Sequence, residues 1–413
     1  MRNLKISEPT PSTTRFPSTP LLKDVQQDSA QAVSYPTILA ICSDLDETPD
    51  AETYFELMRF LNTEEETSMG LGVGLEVGNS IYFDMPPGHF SYWNASEADR
   101  EKIRILIRSG HIDVLHSFGD LATQRSQAER SLEELHRHGC AIKVWIDHAQ
   151  AVSNFGADIM LGHGDEPGHP VYHADLTFSY GIQYAWMGRV TSVIGQERPF
   201  SLTQLWSDIR PLTSVHRSLA PARTFTKECA KQILSRVGQR KYALHRPNRI
   251  LGRSRLRDGR EVSEFLRCNP HPGGVSCADR GDQIHEVLTR NFLDRLAASR
   301  GACILYTHLG KLGEGENRRR FSPEVVRAFQ LLAEYSRSGK IRVTTTRRLL
   351  DQLSSQSPGT ESPSSVLSPL SSATRSPSSV VNSQLSTSEH STPSSVLRPL
   401  SSGSSRLQFP DVR

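Results

Sequence analysis

Three short apolar runs in this chain end in ionisable side chains, and this limits its possible folds more than any other feature. They are residues 38–46 (ILAICSDLD), 112–120 (IDVLHSFGD) and 303–308 (CILYTH). A short continuous apolar run suits a strand buried on both faces, and such strands belong to parallel sheets. The C-terminal ends of parallel strands share one rim, where α/β proteins assemble their sites. Between the runs the pattern changes period. Helices are expected over 52–61, with Thr48 as N-cap and Pro49 in the first turn, and over 98–109, 124–138, 283–299, 323–336 and 346–353. Further strands are expected over 72–83, 141–146, 182–186 and 341–345. Residues 253–267 interrupt the rhythm, with Asp258-Gly259 between polar–apolar alternations as in a hairpin. The expected fold is therefore α/β: a distorted (β/α) barrel of about seven parallel strands with an inserted hairpin.

The hydrophobic fraction of 36 % is low for 413 residues, and the deficit lies at the ends. Residues 1–34 are rich in Ser, Thr and Pro. Residues 354–413 are more so, and PSSVLSPLSS at 363–372 returns as PSSVLRPLSS at 393–402. Such segments bury too little apolar surface to offset the roughly 1–2 kcal/mol per residue of backbone entropy. Both ends are expected to be disordered, leaving 35–353 as the folded domain. The six cysteines form no CxxC pair, so buried free thiols are the default, with Cys42, Cys140 and Cys303 in apolar runs. A net charge of +3 does not by itself imply a nucleic-acid partner. No run has the length of a membrane span and no apolar signal-peptide core precedes Pro20, so a cytoplasmic setting is expected.

Chemistry is expected where strands end. Asp44 and Asp46 stand two apart, so in extended structure they face the same way, as a general base beside a metal ligand would. Asp46 alone could instead cap the following helix. His116 and Asp120, four apart, can reach one divalent cation if the chain turns after His116. Asp147-His148 follows another strand and suits an orienting pair. The loop 162–175 (GHGDEPGHPVYHAD) offers Asp165, His173 and Asp175 as substrate contacts. Trp145, Trp186 and Tyr306 suit sugar stacking, with core packing as the ordinary alternative. The Arg/Lys density over 236–267 suits an anionic glycan, against the commoner reading of a solvated hairpin face.

Gly110-His111-Ile112 followed by His116-Ser117-Phe118-Gly119-Asp120 resembles the second motif of the polysaccharide deacetylase superfamily. There a Gly-His-Glu strand runs into His-Ser/Thr-x-x-His, and both terminal histidines bind zinc or a similar ion. Here Asp120 replaces the second His, which shifts preference toward harder ions such as manganese, cobalt or nickel. Cys42-Ser43-Asp44-Leu45-Asp46-Glu47 is similar to a relaxed form of the family's Thr-Phe-Asp-Asp-Gly. The resemblance implies Asp44 as base and Asp46 as metal ligand, an assignment that the inserted residue leaves exchangeable. Ile304-Leu305-Tyr306-Thr307-His308 resembles the family's late Leu-x-His, whose His is the general acid. The family's Arg-x-Pro-x-Gly stands here as Val144-Trp145-Ile146-Asp147-His148, and its Asp-x-x-Asp-Trp has no clear counterpart beyond Trp186. The whole pattern is similar to a divergent branch from bacterial surface-polysaccharide contexts.

The resemblance implies a metal-dependent hydrolase acting on an N- or O-acyl group of a carbohydrate, with Asp46, His116 and Asp120 on the metal. Asp44 would activate water and His308 would protonate the leaving group. Two other readings compete. A glycoside hydrolase would pair Asp44 with Asp165 or Asp175 across the bond. A non-catalytic glycan-binding or assembly protein would have kept the barrel and lost the chemistry.

Overall fold

The computed structural model describes residues 37–149, 151–209, 220–313 and 318–356. The disorder expected for the two ends concerns residues 1–34 and 354–413. Only 354–356 of these are described, and they belong to the last helix.

The first strand, β1 (Ile38–Cys42), leads through a 3-10 turn (Leu45–Glu47) into α1 (Ala51–Asn62). An antiparallel ribbon of β2 (Glu66–Thr67) and β3 (Gly70–Leu71) precedes β4 (Asn79–Ile81). Next come α2 (Glu97–Ser109), β5 (Ile112–His116), α3 (Arg125–Arg137), β6 (Val144–Ile146), α4 (Ala174–Tyr180) and β7 (Tyr184–Trp186). The short β8 (Val190–Thr191), α5 (Leu202–Ile209) and α6 (Ala220–Arg236) lead to a hairpin of β9 (Leu251–Arg255) and β10 (Glu261–Phe265). After β11 (Arg267–Cys268) follow α7 (Arg290–Ser299), β12 (Ala302–Tyr306), α8 (Pro323–Arg337), β13 (Arg342–Thr344) and α9 (Thr346–Gln356).

The strands form two sheets, ordered β13-β1-β12-β11-β8 and β4-β5-β6-β7-β10-β9, in which every pairing except β9 with β10 is parallel. Two features connect them. Only Leu266 separates β10 from β11, and Cys42 at the end of β1 makes a parallel bridge to Gly78 just before β4. Continuous ladders do not close the ring that the sequence suggests. Side chains alternate across both sheets as the strand period requires. Ile38, Val114, Val144, Tyr184, Phe265 and Ile304 share one cluster, whereas Leu39, Leu115, Trp145, Ala185 and Leu305 pack in the larger core with the helices.

Most expected elements stand within a few residues of their predicted ends. Of the strand expected over 72–83, only β4 (Asn79–Ile81) forms, and the first part does not. Backbone N–H groups of Gly72, Val73, Gly74 and Leu75 donate to carbonyls of Glu65, Phe60, Thr63 and Leu61, so this stretch caps the end of α1 instead of pairing in a sheet. Nor is Thr48 the cap of α1, because Asp50 accepts from Thr53 N at 2.9 Å. The 283–299 helix divides into a 3-10 turn (Ile284–Glu286) and α7, which Thr289 caps by accepting from Phe292 N. Cys42, Cys140, Cys268 and Cys303 are buried free thiols. Among the described residues no helix is long and apolar enough to cross a membrane.

Candidate functional site

Register places the site. Cys42 lies opposite Tyr306, and His116, Ile146 and Trp186 align across β5, β6 and β7, so these C-terminal residues belong to a common rim. Beyond it the chain turns sharply without glycine. Asp44, Ser117 and Ala149, which follow β1, β5 and β6, all have positive φ (43°, 47° and 38°), a conformation costing of order 1–3 kcal/mol that concentrates at functional sites.

The left-handed turn at Asp44 overturns the expectation that Asp44 and Asp46 face the same way. With Leu45–Glu47 in a 3-10 turn, the carboxylates diverge into two clusters. In the first, Asp44 accepts from both ends of the Arg267 guanidinium, at 2.6 and 3.3 Å. Arg267 has no exposed surface and sits near the rings of Trp186 and Tyr306, 4.5 and 5.1 Å from their centroids. His308 Nδ1 lies 2.8 Å from Glu47 and 3.4 Å from Asp44, and its Nε2 lies 2.9 Å from the Tyr306 hydroxyl. Lys311 closes the cluster on Glu47 at 3.0 Å. Burial opposes ionisation of Glu47, but the charges of His308 and Lys311 overcome it and hold its carboxyl well below the usual range.

One glycine makes this arrangement possible. Leu309 N and Gly310 N donate to Ser43 O and Asp44 O, pressing the chain after His308 against the Leu45–Glu47 turn. A Cβ at Gly310 would stand 2.7 Å from backbone atoms of Leu45, Glu47 and Thr48.

The second cluster is a chain of hydrogen-bonding groups. Asp46 lies 3.1 Å from His116 Nδ1 and accepts from Ser80. His116 Nε2 lies 3.2 Å from the Tyr82 hydroxyl and 3.2 Å from His148 Nδ1. Tyr82 reaches His148 Nδ1 at 2.5 Å, and His148 Nε2 reaches Asp120 at 3.4 Å. One assignment of protons satisfies the chain of links that runs through Tyr82. His116 as imidazolium donates to Asp46 and to Tyr82, Tyr82 donates to neutral His148, and His148 donates to Asp120. The shifts of the two imidazoles agree, whereas burial also raises Asp46 against the opposing charge of His116. Burial would lower the pKa of His116, but the charges of Asp46 and Asp44 outweigh it and raise it. Burial and the charge on His116 push His148 down to about 3. Burial raises the half-exposed Asp120, against the charge of His116.

The expected metal ligands do not fit a metal in this arrangement. Asp46 touches His116, whereas Asp120 touches His148, and the two imidazole nitrogens that face each other, 3.2 Å apart, both also meet the Tyr82 hydroxyl. Among the described residues no three His, Cys, Asp or Glu side chains form a group that could hold a metal ion.

Other sequence candidates have structural work. Asp147, buried and pushed up to about 7 by that burial, accepts from Trp145 Nε1, Phe155 N and Gly156 N and so fixes the loop after β6. Asp165 is held by Arg257 Nε and backbone N, both at 2.8 Å. His173 is buried between Thr177 Oγ1 and Ser153 O, at 2.9 and 2.8 Å, and Asp175 forms a two-point ion pair with Arg125. These three therefore do not stand free in a substrate loop. Trp145 is core, and Trp186 stacks on Arg267 rather than lying open. Glu47, Tyr82 and Arg267 were not singled out by motif. Comparison with protein-family models, with curated proteins and with solved structures finds no match to this chain.

Proposed function

We propose that this chain is a hydrolase that removes an acyl group from a carbohydrate by paired acid–base chemistry. The observation that carries the reading is the pair of carboxylate–imidazole arms at one strand rim, Glu47–His308 and Asp120–His148, each with a partly exposed end. His308 is the general acid. Glu47 fixes its Nδ1, leaving Nε2, now beside Tyr306, to protonate the departing amine or alkoxide. Asp120 is the general base that takes a proton from water as its oxygen attacks the acyl carbonyl, and a raised pKa suits a carboxylate to that task. Asp44 is unsuited to the role of base, because Arg267 occupies both of its oxygens. It anchors the rim instead.

The scaffold we propose is a wound barrel of seven strands: β1, β4, β5, β6, β7, the continuous β10–β11 and β12. The inner cluster shared by both sheets supports it, as do the Cys42–Gly78 bridge and the unbroken chain through Leu266. In this barrel β9 is the inserted hairpin partner, and β8 and β13 are outliers.

The test is acetate release from N-acetylated and O-acetylated oligosaccharides. The wild type should be active with a bell-shaped pH profile, and His308→Gln or Asp120→Asn should each lower kcat by about a hundredfold or more. Full activity in His308→Gln would overturn the mechanism. Absence of release from every acylated sugar would overturn the function and favour a glycan-binding role. Chelation should leave the rate unchanged. A stoichiometric metal lost on His148→Ala would place a cation between the imidazoles and replace the base assigned here.

A further inference from the structure

We infer that the substrate is an anionic polysaccharide, bearing carboxylates on its sugars, and that a basic groove beside the rim holds the part of the polymer next to the cleaved group. The inference rests on the reading of the site as carbohydrate-directed. Charge is distributed very unevenly in this chain. Between Arg236 and Arg260 nine residues are Arg or Lys and only Asp258 is acidic, although the whole chain has a formal net charge of only +3. The remainder is therefore net acidic, so the excess of positive charge is local.

That segment borders a groove of about 410 Å³ to which Arg189, Arg240, Lys241 and Arg257 contribute. Two of these cations are already paired. Arg257 is held by Asp165 and Glu166, and Arg189 by Glu264 and Asp158. Arg240 and Lys241 have no carboxylate partner among the described residues. Arg189 is only 3 % exposed and keeps one buried N–H group, its Nε, without a hydrogen-bond partner. Arg253 and Arg255 continue the positive surface along β9, each more than two-thirds exposed and loosely paired to Glu261 at 3.7 and 3.8 Å.

The groove shares two loops with the rim, those after β6 and β7. Phe155, Gly156 and Asp158 line the groove on the loop that begins at His148 and is tied down by Asp147. Met187 and Arg189 line it directly after Trp186, whose indole donates to Arg189 O and whose ring stacks on Arg267. A chain of sugars with its acyl group at His308 and Asp120 would run on over these loops into the groove. Single-stranded nucleic acid is disfavoured because it needs exposed rings on which bases stack. Among the described residues one aromatic side chain lines the groove, Phe155, and it is 1 % exposed.

The test is binding of fluorescently labelled hyaluronan fragments, a uronate-bearing and N-acetylated polymer, to the full chain, measured by anisotropy against salt concentration. Neutral chitin oligosaccharides and single-stranded DNA of matched charge are compared. Hyaluronan should bind, more tightly than either comparator. The double variant Arg240→Gln/Lys241→Gln should weaken it by about tenfold or more and flatten its salt dependence, with an unchanged thermal transition. Hyaluronan binding that is unaltered in the double variant would overturn the groove, as would no binding at all. Tighter binding of the DNA, lost in the double variant, would make the partner a nucleic acid and overturn it too. Because these readouts need no turnover, they stay separate from acetate release, whose failure would overturn the catalytic reading alone.

Discussion

Arg267 shows how much of the rim rests on single residues. It has no exposed surface, and among the described residues its charge is balanced by one carboxylate, Asp44, with a further bond from Nη2 to Cys42 O. Removing one member of a buried pair leaves the other charged in a low-dielectric setting, at a cost of about 3–5 kcal/mol. Arg267→Gln should therefore lower stability by about that amount in urea unfolding, and Asp44→Asn should do the same. A loss under about 1 kcal/mol in both would show that water reaches the pair. Glu47→Gln is expected to behave differently. It removes the charge beside His308 while keeping the shape, so kcat for deacylation should fall about tenfold or more, and because His308 and Lys311 hold the Glu47 carboxyl low, stability at neutral pH should fall too, a loss that vanishes on acidification. Of these residues Asp44 and His308 were legible in the sequence, because each closes an apolar strand. Arg267 was not, since it reads as one more charge in a basic stretch. Its only local signal is its position between Phe265-Leu266 and Cys268, a cation inside an apolar run.

At the scale of elements, strands were easier to read than the segments that aim them. β12 stands where the run of apolar residues puts it, because a strand buried on both faces leaves a contiguous signature. Helix α6 leaves none. Its buried residues include Thr224, Glu228, Gln232 and Ser235, so no apolar period marks its inner face. The turns after β1 and β12 are set by tertiary contact, which explains why Asp44 and Asp46 diverge where an extended chain would align them. Gly310 tests this. Alanine there would push a methyl group into the backbone of the Leu45–Glu47 turn, and overpacking of this kind costs about 1–3 kcal/mol. Gly310→Ala should lower the melting temperature and reduce activity together, by parting His308 from Glu47. Reduced stability with full activity would show that the dyad does not depend on this contact.

For the whole molecule, buried titratable groups of opposite kinds set the dependence of stability on pH. Burial holds His148 and His245 down to about 3 and His173 down to about 4. Unfolded histidine titrates near 6.5, so each of these contributes stability above that value that is lost as pH falls toward 4. Burial also raises Asp113 and Asp147 to about 7 and Asp208 to about 6. Their sign is opposite: their contribution is full below the unfolded value near 3.8 and is lost as pH rises through 6 to 7. Between pH 4 and 6 the unfolded chain binds extra protons on three histidines while the folded chain holds extra protons on three aspartates. Each such proton is worth about 1.4 kcal/mol per pH unit, and the two sets nearly cancel. Unfolding free energy should therefore be almost flat from pH 4.5 to 6, the other buried groups being equal. Single substitutions should unbalance it in opposite directions. His173→Gln removes one acid-sensitive group, so its stability, though lower throughout, should rise on acidification relative to the wild type. Asp147→Asn removes a group that favours acid, so its stability should fall over the same interval. Parallel curves for the two variants would mean that these side chains exchange protons with solvent in the folded state, and that the loop Asp147 ties to the rim opens in solution.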